Sequence, residues 1–120
     1  MGPEYLEYLR ECAREDFENR VRLYAPVVGV TYNRIFIRGQ KTRWGSCSSA
    51  GNLNFNYLLM LAPVYVRNYV IVHELCHRKE MNHSKRFWAE VERVLPDYRE
   101  AERWLKEHGE ELMMQKESMD

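Results

Sequence analysis

Little in these 120 residues points to a membrane, a secretory route or a polyanionic partner. No apolar run is long enough to cross a bilayer, and no signal-peptide core lies near the start, so no membrane partner is expected. Leu6 stands where N-myristoylation after Met1-Gly2 would need Ser or Thr. Cysteine is scarce: Cys12, Cys47 and Cys76 are odd in number, scattered and without a CxxC pair. That excludes a disulfide framework and suits a reducing compartment, so the cytoplasm is the expected address. Net charge is missing as well, with 18 basic side chains against 18 acidic ones. This balance argues against direct nucleic-acid binding, although a local basic strip is compatible with it. There is no internal repeat and no low-complexity segment. The chain opens almost directly into helical sequence, as a piece of a longer protein also would.

What is present suits one domain, residues 1–120, with 8 Tyr, 4 Phe and 3 Trp to fill a single core. Pro3 suits the first turn of a helix. Apolar residues at Leu6, Leu9, Ala13, Phe17 and Val21 predict an amphipathic helix over residues 3–23. After Pro26 the pattern changes. VGVTY and RIFIR read as strands, and NLNFNY alternates, with Asn52, Asn54 and Asn56 on one face and Leu53, Phe55 and Tyr57 on the other. Residues 28–60 are therefore expected to form a small, mostly antiparallel sheet with a hairpin near 48–51. Helical patterns fill residues 63–115: one starts at Pro63, one is capped by Ser84, and one begins with an Asp97–Glu100 capping box and runs towards Gly109 as its C′ residue. The tail beyond can extend that helix or fray. The order helix, sheet, three helices is an α+β fold.

Three of the four histidines stand in HELCHRKEMNH, residues 73–83. On a helix, His73 and His77 project from one face a turn apart, as two imidazoles on one zinc ion (Zn2+) require. Glu74 sits beside that pair, placed to take a proton from a metal-activated water and pass it to a leaving amine. A random chain of this length contains HExxH roughly once in a few hundred cases, so the motif gains from its context. The preceding YVRNYVIV is apolar enough to bury the helix.

The third ligand is less direct. On a continuous helix His83 would lie about 9 Å beyond His77 and off its face. It reaches the metal only if the chain turns back, and Asn82, which tolerates the left-handed conformation, is the expected turning point. Otherwise His83 is an exposed loop residue. The rival ligand is a later carboxylate among Glu90, Glu92, Asp97, Glu100 and Glu102, each of which also reads as a solvated or capping helix charge.

KTRWGSCSSAGNLNFN (41–56), LLMLAP (58–63), YVIVHELCH (69–77), NHSKRFW (82–88) and PDY (96–98) together resemble the YgjP-like metal-dependent peptidases, relatives of the SprT-type zinc peptidases. The likeness spans residues 34–106. It implies a zincin-like minimal domain with His73, His77 and His83 on zinc, Glu74 as catalytic base and a peptide or protein as substrate. Positions 78–80, RKE, depart from the family's usual aliphatic residue and further histidine.

Other residues carry weaker signals. Tyr69, Tyr98 and Arg43 are candidates for stabilising an oxyanion, and nothing in the sequence chooses among them. Trp44 and Gly45 can shape a cleft, though a core anchor and a bulge are the plainer readings. TRWGSCS or NLNFNY can present a sheet edge to a substrate strand. Cys76 points away from the ligand face and reads as a small apolar residue, and His108 as a contact to the dipole of the last helix.

The expected activity is zinc-dependent peptide hydrolysis. The alternative is a non-catalytic binding or adaptor module with a structural zinc, associated with nucleic acid through the SprT relationship. Such a site has no need of Glu74 and usually closes with a fourth protein ligand. Substrate specificity and oligomeric state are not legible.

Overall fold

The computed structural model describes residues 2–119, with side chains to Gln115. Helix α1 (Pro3–Val28) is followed by strands β1 (Ile35–Arg38), β2 (Gly45–Cys47) and β3 (Leu53–Asn56). A 3-10 turn (Tyr57–Leu61) then leads to α2 (Val64–Cys76), α3 (Lys85–Val94) and α4 (Tyr98–Met119). The fold is α+β, as the element pattern predicts.

Helix α1 outruns its expected end at residue 23. Pro26 lies inside its last turn, and Gly29 closes it in the left-handed region (φ 88°), donating its N–H to the Ala25 carbonyl. Proline forfeits one bond so near the terminus, and glycine supplies the conformation that other residues resist. VGVTY is thus helix end and loop rather than strand. The buried stripe of α1 (Leu9, Ala13, Phe17, Val21, Ala25) packs on the sheet and α2, with Phe17 stacked on Phe55 at 4.7 Å.

The sheet is mixed rather than mostly antiparallel. Its order is β1-β3-β2, with β1 parallel to β3 and β2 antiparallel to it. The expected hairpin forms: Gly51 donates to the Ser48 carbonyl, and Ser48 and Asn52 pair beyond it. Because β3 is central, NLNFNY cannot offer an edge, and β2 does so instead. The alternation predicted for β3 also fails at Asn56, which is buried. Its Nδ2 donates to the carbonyls of Gln40 and Arg43, and its Oδ1 caps the 3-10 turn by accepting from Leu58 N–H. The third asparagine instead ties down the loop that delivers Arg43, Trp44 and β2.

Helix α4 passes through Gly109, so this residue is not a C-cap and His108 is not at a helix end. His108 lies mid-helix, 4.8 Å from Trp104 ring to ring. Gly109 has a different purpose: a Cβ there would stand 3.2 Å from Cζ2 of Trp44. The tail 110–119 extends the helix.

Candidate metal centre

Helix α2 carries the first two histidines from within the core. Its apolar residues Val66, Val70, Ile71, Val72 and Leu75 are buried, and so is Glu74. His77 closes the helix, and the chain turns at once. Arg78, Lys79 and Glu80 donate their N–H groups to the carbonyls of Leu75, Cys76 and Cys76, tightening the last turn. The turn expected at a left-handed Asn82 is therefore made earlier and by other means: among the described residues no non-glycine residue has positive φ. Repeated short backbone bonds reverse the chain without that strain. Arg78 secures the turn from outside, donating to the Thr31 and Ser49 carbonyls.

The reversal brings His83 back. One ligating atom from each of His73, His77 and His83 lies within 4.8 Å of the other two, and no carboxylate joins them in such a group among the described residues. Of the rival ligands, Glu90 is held by Lys79 at 2.8 Å and Arg93 at 2.7 Å. Glu92 and Glu102 line a separate cavity beyond His83.

Hydrogen bonds decide which nitrogens are free. His77 Nδ1 stands 3.0 Å from the Glu80 carbonyl, which can only accept, so Nδ1 carries the hydrogen and Nε2 keeps a free lone pair. His73 Nδ1 stands 3.0 Å from Oε2 of Glu74, and with an ionised carboxylate the same tautomer follows. Orientation of one ring nitrogen by an oxygen acceptor is the arrangement that metal-ligating histidines use. Desolvation, then the neighbouring His73 and His77, hold His83 below the ordinary imidazole range and favour its neutral form. Three imidazoles with nitrogens at this spacing fit one divalent ion.

Aromatic rings back the cluster. The Ser84 hydroxyl caps α3 by accepting from Phe87 N–H, which seats Phe87 against all three imidazoles. Ring centroids lie 4.4 Å from His77 and 5.0 Å from both His73 and His83. Trp88 stacks on His83 at 6.0 Å. Helical spacing alone does not reveal Phe87 and Trp88 as this wall. The tight NHSKRFW spacing was the available signal.

A cleft of about 440 Å3 opens over the cluster, lined by Arg43, Trp44, Tyr69 and Glu74 among others. Tyr98, the fourth sequence candidate for substrate contact, does not line it. This ring is buried and stacks behind Tyr69 at 6.4 Å and on Trp88 at 5.4 Å. Burial, then the Glu102 and Glu74 charges, push the Tyr69 phenol well above its ordinary value, so it stays an O–H donor. Gly45 on β2 lets the strand pass close to the metal helix. A Cβ there would meet the Asn54 carbonyl oxygen at 3.0 Å and both Glu74 Cγ and Val70 Cγ1 at 3.1 Å. Cys47 also faces the cleft, its thiol raised by burial and then by Glu74. Cys76 is fully buried, with its thiol pushed up to about 12 by burial and then Glu90, and packs as the apolar residue expected.

Residues 3–108 match the family described as YgjP-like, metallopeptidase domain. Two crystallised metallopeptidase zymogens share the fold. Abylysin of Pyrococcus abyssi is 24% identical with a TM-score of 0.67, the match covering 76% of this chain and 93% of that one. Jannalysin of Methanocaldococcus jannaschii is 21% identical with a TM-score of 0.66, over 76% and 94% of the two chains. No curated protein sequence matches the chain.

Proposed function

The chain belongs to the YgjP-like metallopeptidase family, and from that premise we propose a zinc peptidase in which His73, His77 and His83 hold the ion and Glu74 is the general base. Metal-dependent peptidase activity, and so a peptide or protein substrate, comes with the family. The residue roles rest on one observation: three imidazoles with free nitrogens converge beside a buried carboxylate at the floor of an open cleft.

A bound zinc ion would polarise the scissile carbonyl and lower the pKa of a water beside it towards about 7. Glu74 takes the proton of the attacking water and returns it to the leaving amine. Burial limits competing solvent around this carboxylate, and His73 Nδ1–H orients it. Tyr69, held protonated with Glu102 as its hydrogen-bond partner, and Arg43 both stand at the cleft as candidate donors to the developing oxyanion. The free edge of β2 receives the substrate as an added strand, an arrangement that leaves side chains alternating towards and away from the cleft. His73, His77 and His83 would hold the ion through three protein ligands, where a structural zinc usually takes four, and this favours the catalytic reading.

Residues 1–120 act as one catalytic domain, and the free thiols Cys12, Cys47 and Cys76 suit the cytoplasm. Among the described residues no helix is long and apolar enough to cross a membrane. The test is Glu74→Gln. Zinc content should stay at one per chain while peptide cleavage falls by about 100-fold or more; undiminished turnover overturns the assignment of the base.

A further inference from the structure

The cleft does not end at the histidines. Part of its lining is apolar, from Trp44, Val70, Met81 and Leu105. A second cavity of about 420 Å3 shares Trp44 and Leu105 with it and continues along α4 to Met113 and Met114, with Lys41, Thr42 and Glu110 at its rim. The two hollows adjoin at the shared Trp44–Leu105 wall and make a trough of two parts, the first lying over the metal centre. Met81 and Met114 stand open to solvent along it, at 51% and 65% exposure.

This wall is built with little freedom. Asn56 anchors the loop before Trp44 through the Arg43 carbonyl. On the other side α4 presents its one glycine to the indole, where any Cβ would crowd Cζ2 at 3.2 Å. Trp44 is therefore held between a tied loop and a bare stretch of helix. Gly45, Ser46 and Cys47 of the edge strand line the same cleft, so a peptide added to β2 runs beside that indole. Methionines further along suit apolar side chains of varied shape, because the thioether chain is unbranched and adaptable.

We propose that this peptidase selects substrates by a bulky apolar side chain at the scissile bond, seated between Trp44 and Leu105, with further apolar residues of the same peptide lying towards Met113. The occupant is the substrate itself, because the trough shares its Trp44–Leu105 wall with the catalytic cleft. The inference rests on the peptidase reading above.

The test uses fluorescein-labelled decapeptides whose two central residues are both Leu, Phe, Ala, Asp or Lys. Binding to the zinc-loaded Glu74→Gln protein is read by anisotropy, without turnover. Leu and Phe peptides should bind about tenfold tighter than Asp and Lys peptides, the scale on which apolar pockets discriminate. Leu105→Ala removes part of the wall. Gly109→Ala favours the helix yet pushes on the indole. Each should bring the preference several-fold nearer to parity at unchanged zinc content. Equal or tighter binding of charged peptides overturns the proposal, as does a preference that survives both replacements. The wild-type protein with the same peptides separates the two readings. Tight apolar binding without cleavage leaves the trough standing and removes the peptidase assignment, and cleavage without apolar preference does the reverse.

Discussion

His77 points its Nδ1–H at the carbonyl of Glu80, 3.0 Å away, across the turn that its own residue begins. One bond thereby ties the second candidate ligand to the segment that returns the third. Helix end, imidazole tautomer and the path towards His83 are set together.

That coupling makes His83 a test of the whole centre. His83→Ala should weaken zinc binding by at least about 100-fold, beyond what loss of a supporting contact causes. Competition with a chelator, followed by metal analysis, measures it. Stoichiometric zinc at unchanged affinity would transfer the third position to another side chain.

Gly45→Ala should damage catalysis more than metal binding. The added methyl meets the Asn54 backbone oxygen, which cannot yield, and the Glu74 side chain, which can. Displacing that carboxylate by a fraction of an ångström should lower kcat by about tenfold to 100-fold, with a stability cost of about 1–3 kcal/mol from overpacking. Steady-state kinetics beside a zinc titration distinguish the two effects.

Arg67 is a buried cation whose Nη1 donates to the Ala62 carbonyl at 3.0 Å and, more weakly, to Met60 and Leu59. Its Nε also lies 3.2 Å from Asp16 on α1. Arg67→Met removes the side-chain donor from the Met60 and Ala62 carbonyls, while Leu59 keeps the Ala62 N–H and Asp16 stays paired with Arg20. The loss should sit near the low end for a broken buried pair, about 3 kcal/mol. Urea denaturation reads it, and a loss within error of zero would remove Arg67 from the core's framework.

Glu90 predicts a pH dependence. Hydrogen bonds from Lys79 and then Arg93 hold its carboxyl below the ordinary range in the folded chain. Its contribution is therefore complete above the unfolded value of about 4.3 and disappears as pH falls through the lower folded value. Glu90→Gln should cost about 0.5–1 kcal/mol at pH 7, as a partly exposed network does. Its thermal stability should converge with that of the parent below pH 4, and a pH-independent difference would show that the charge is not the cause.

Much of this protein was legible before any coordinates. The four helices, the hairpin, the Ser84 cap and the placing of His73, Glu74 and His77 on one buried helix follow from residue spacing. They are properties of neighbours along the chain, and helical or strand periodicity converts spacing directly into direction. The misreadings arose where two segments meet. Pro26 reads as a boundary along the chain, although Gly29 closes the helix a turn later. Alternation puts Asn56 on the face of Asn52 and Asn54, and helix-stop convention puts Gly109 at C′, while each is spoken for by the loop or ring opposite it.

The sequence by itself determined the histidine face of α2, the carboxylate beside it and the family resemblance. Only the tertiary structure decided that His83 reaches that face, that Phe87 backs all three rings, and that β2 is the open edge next to the cleft. Local geometry cannot supply those answers, because the distance between two elements depends on every side chain packed between them. A histidine's place on its own helix depends only on the residues it can count along the chain.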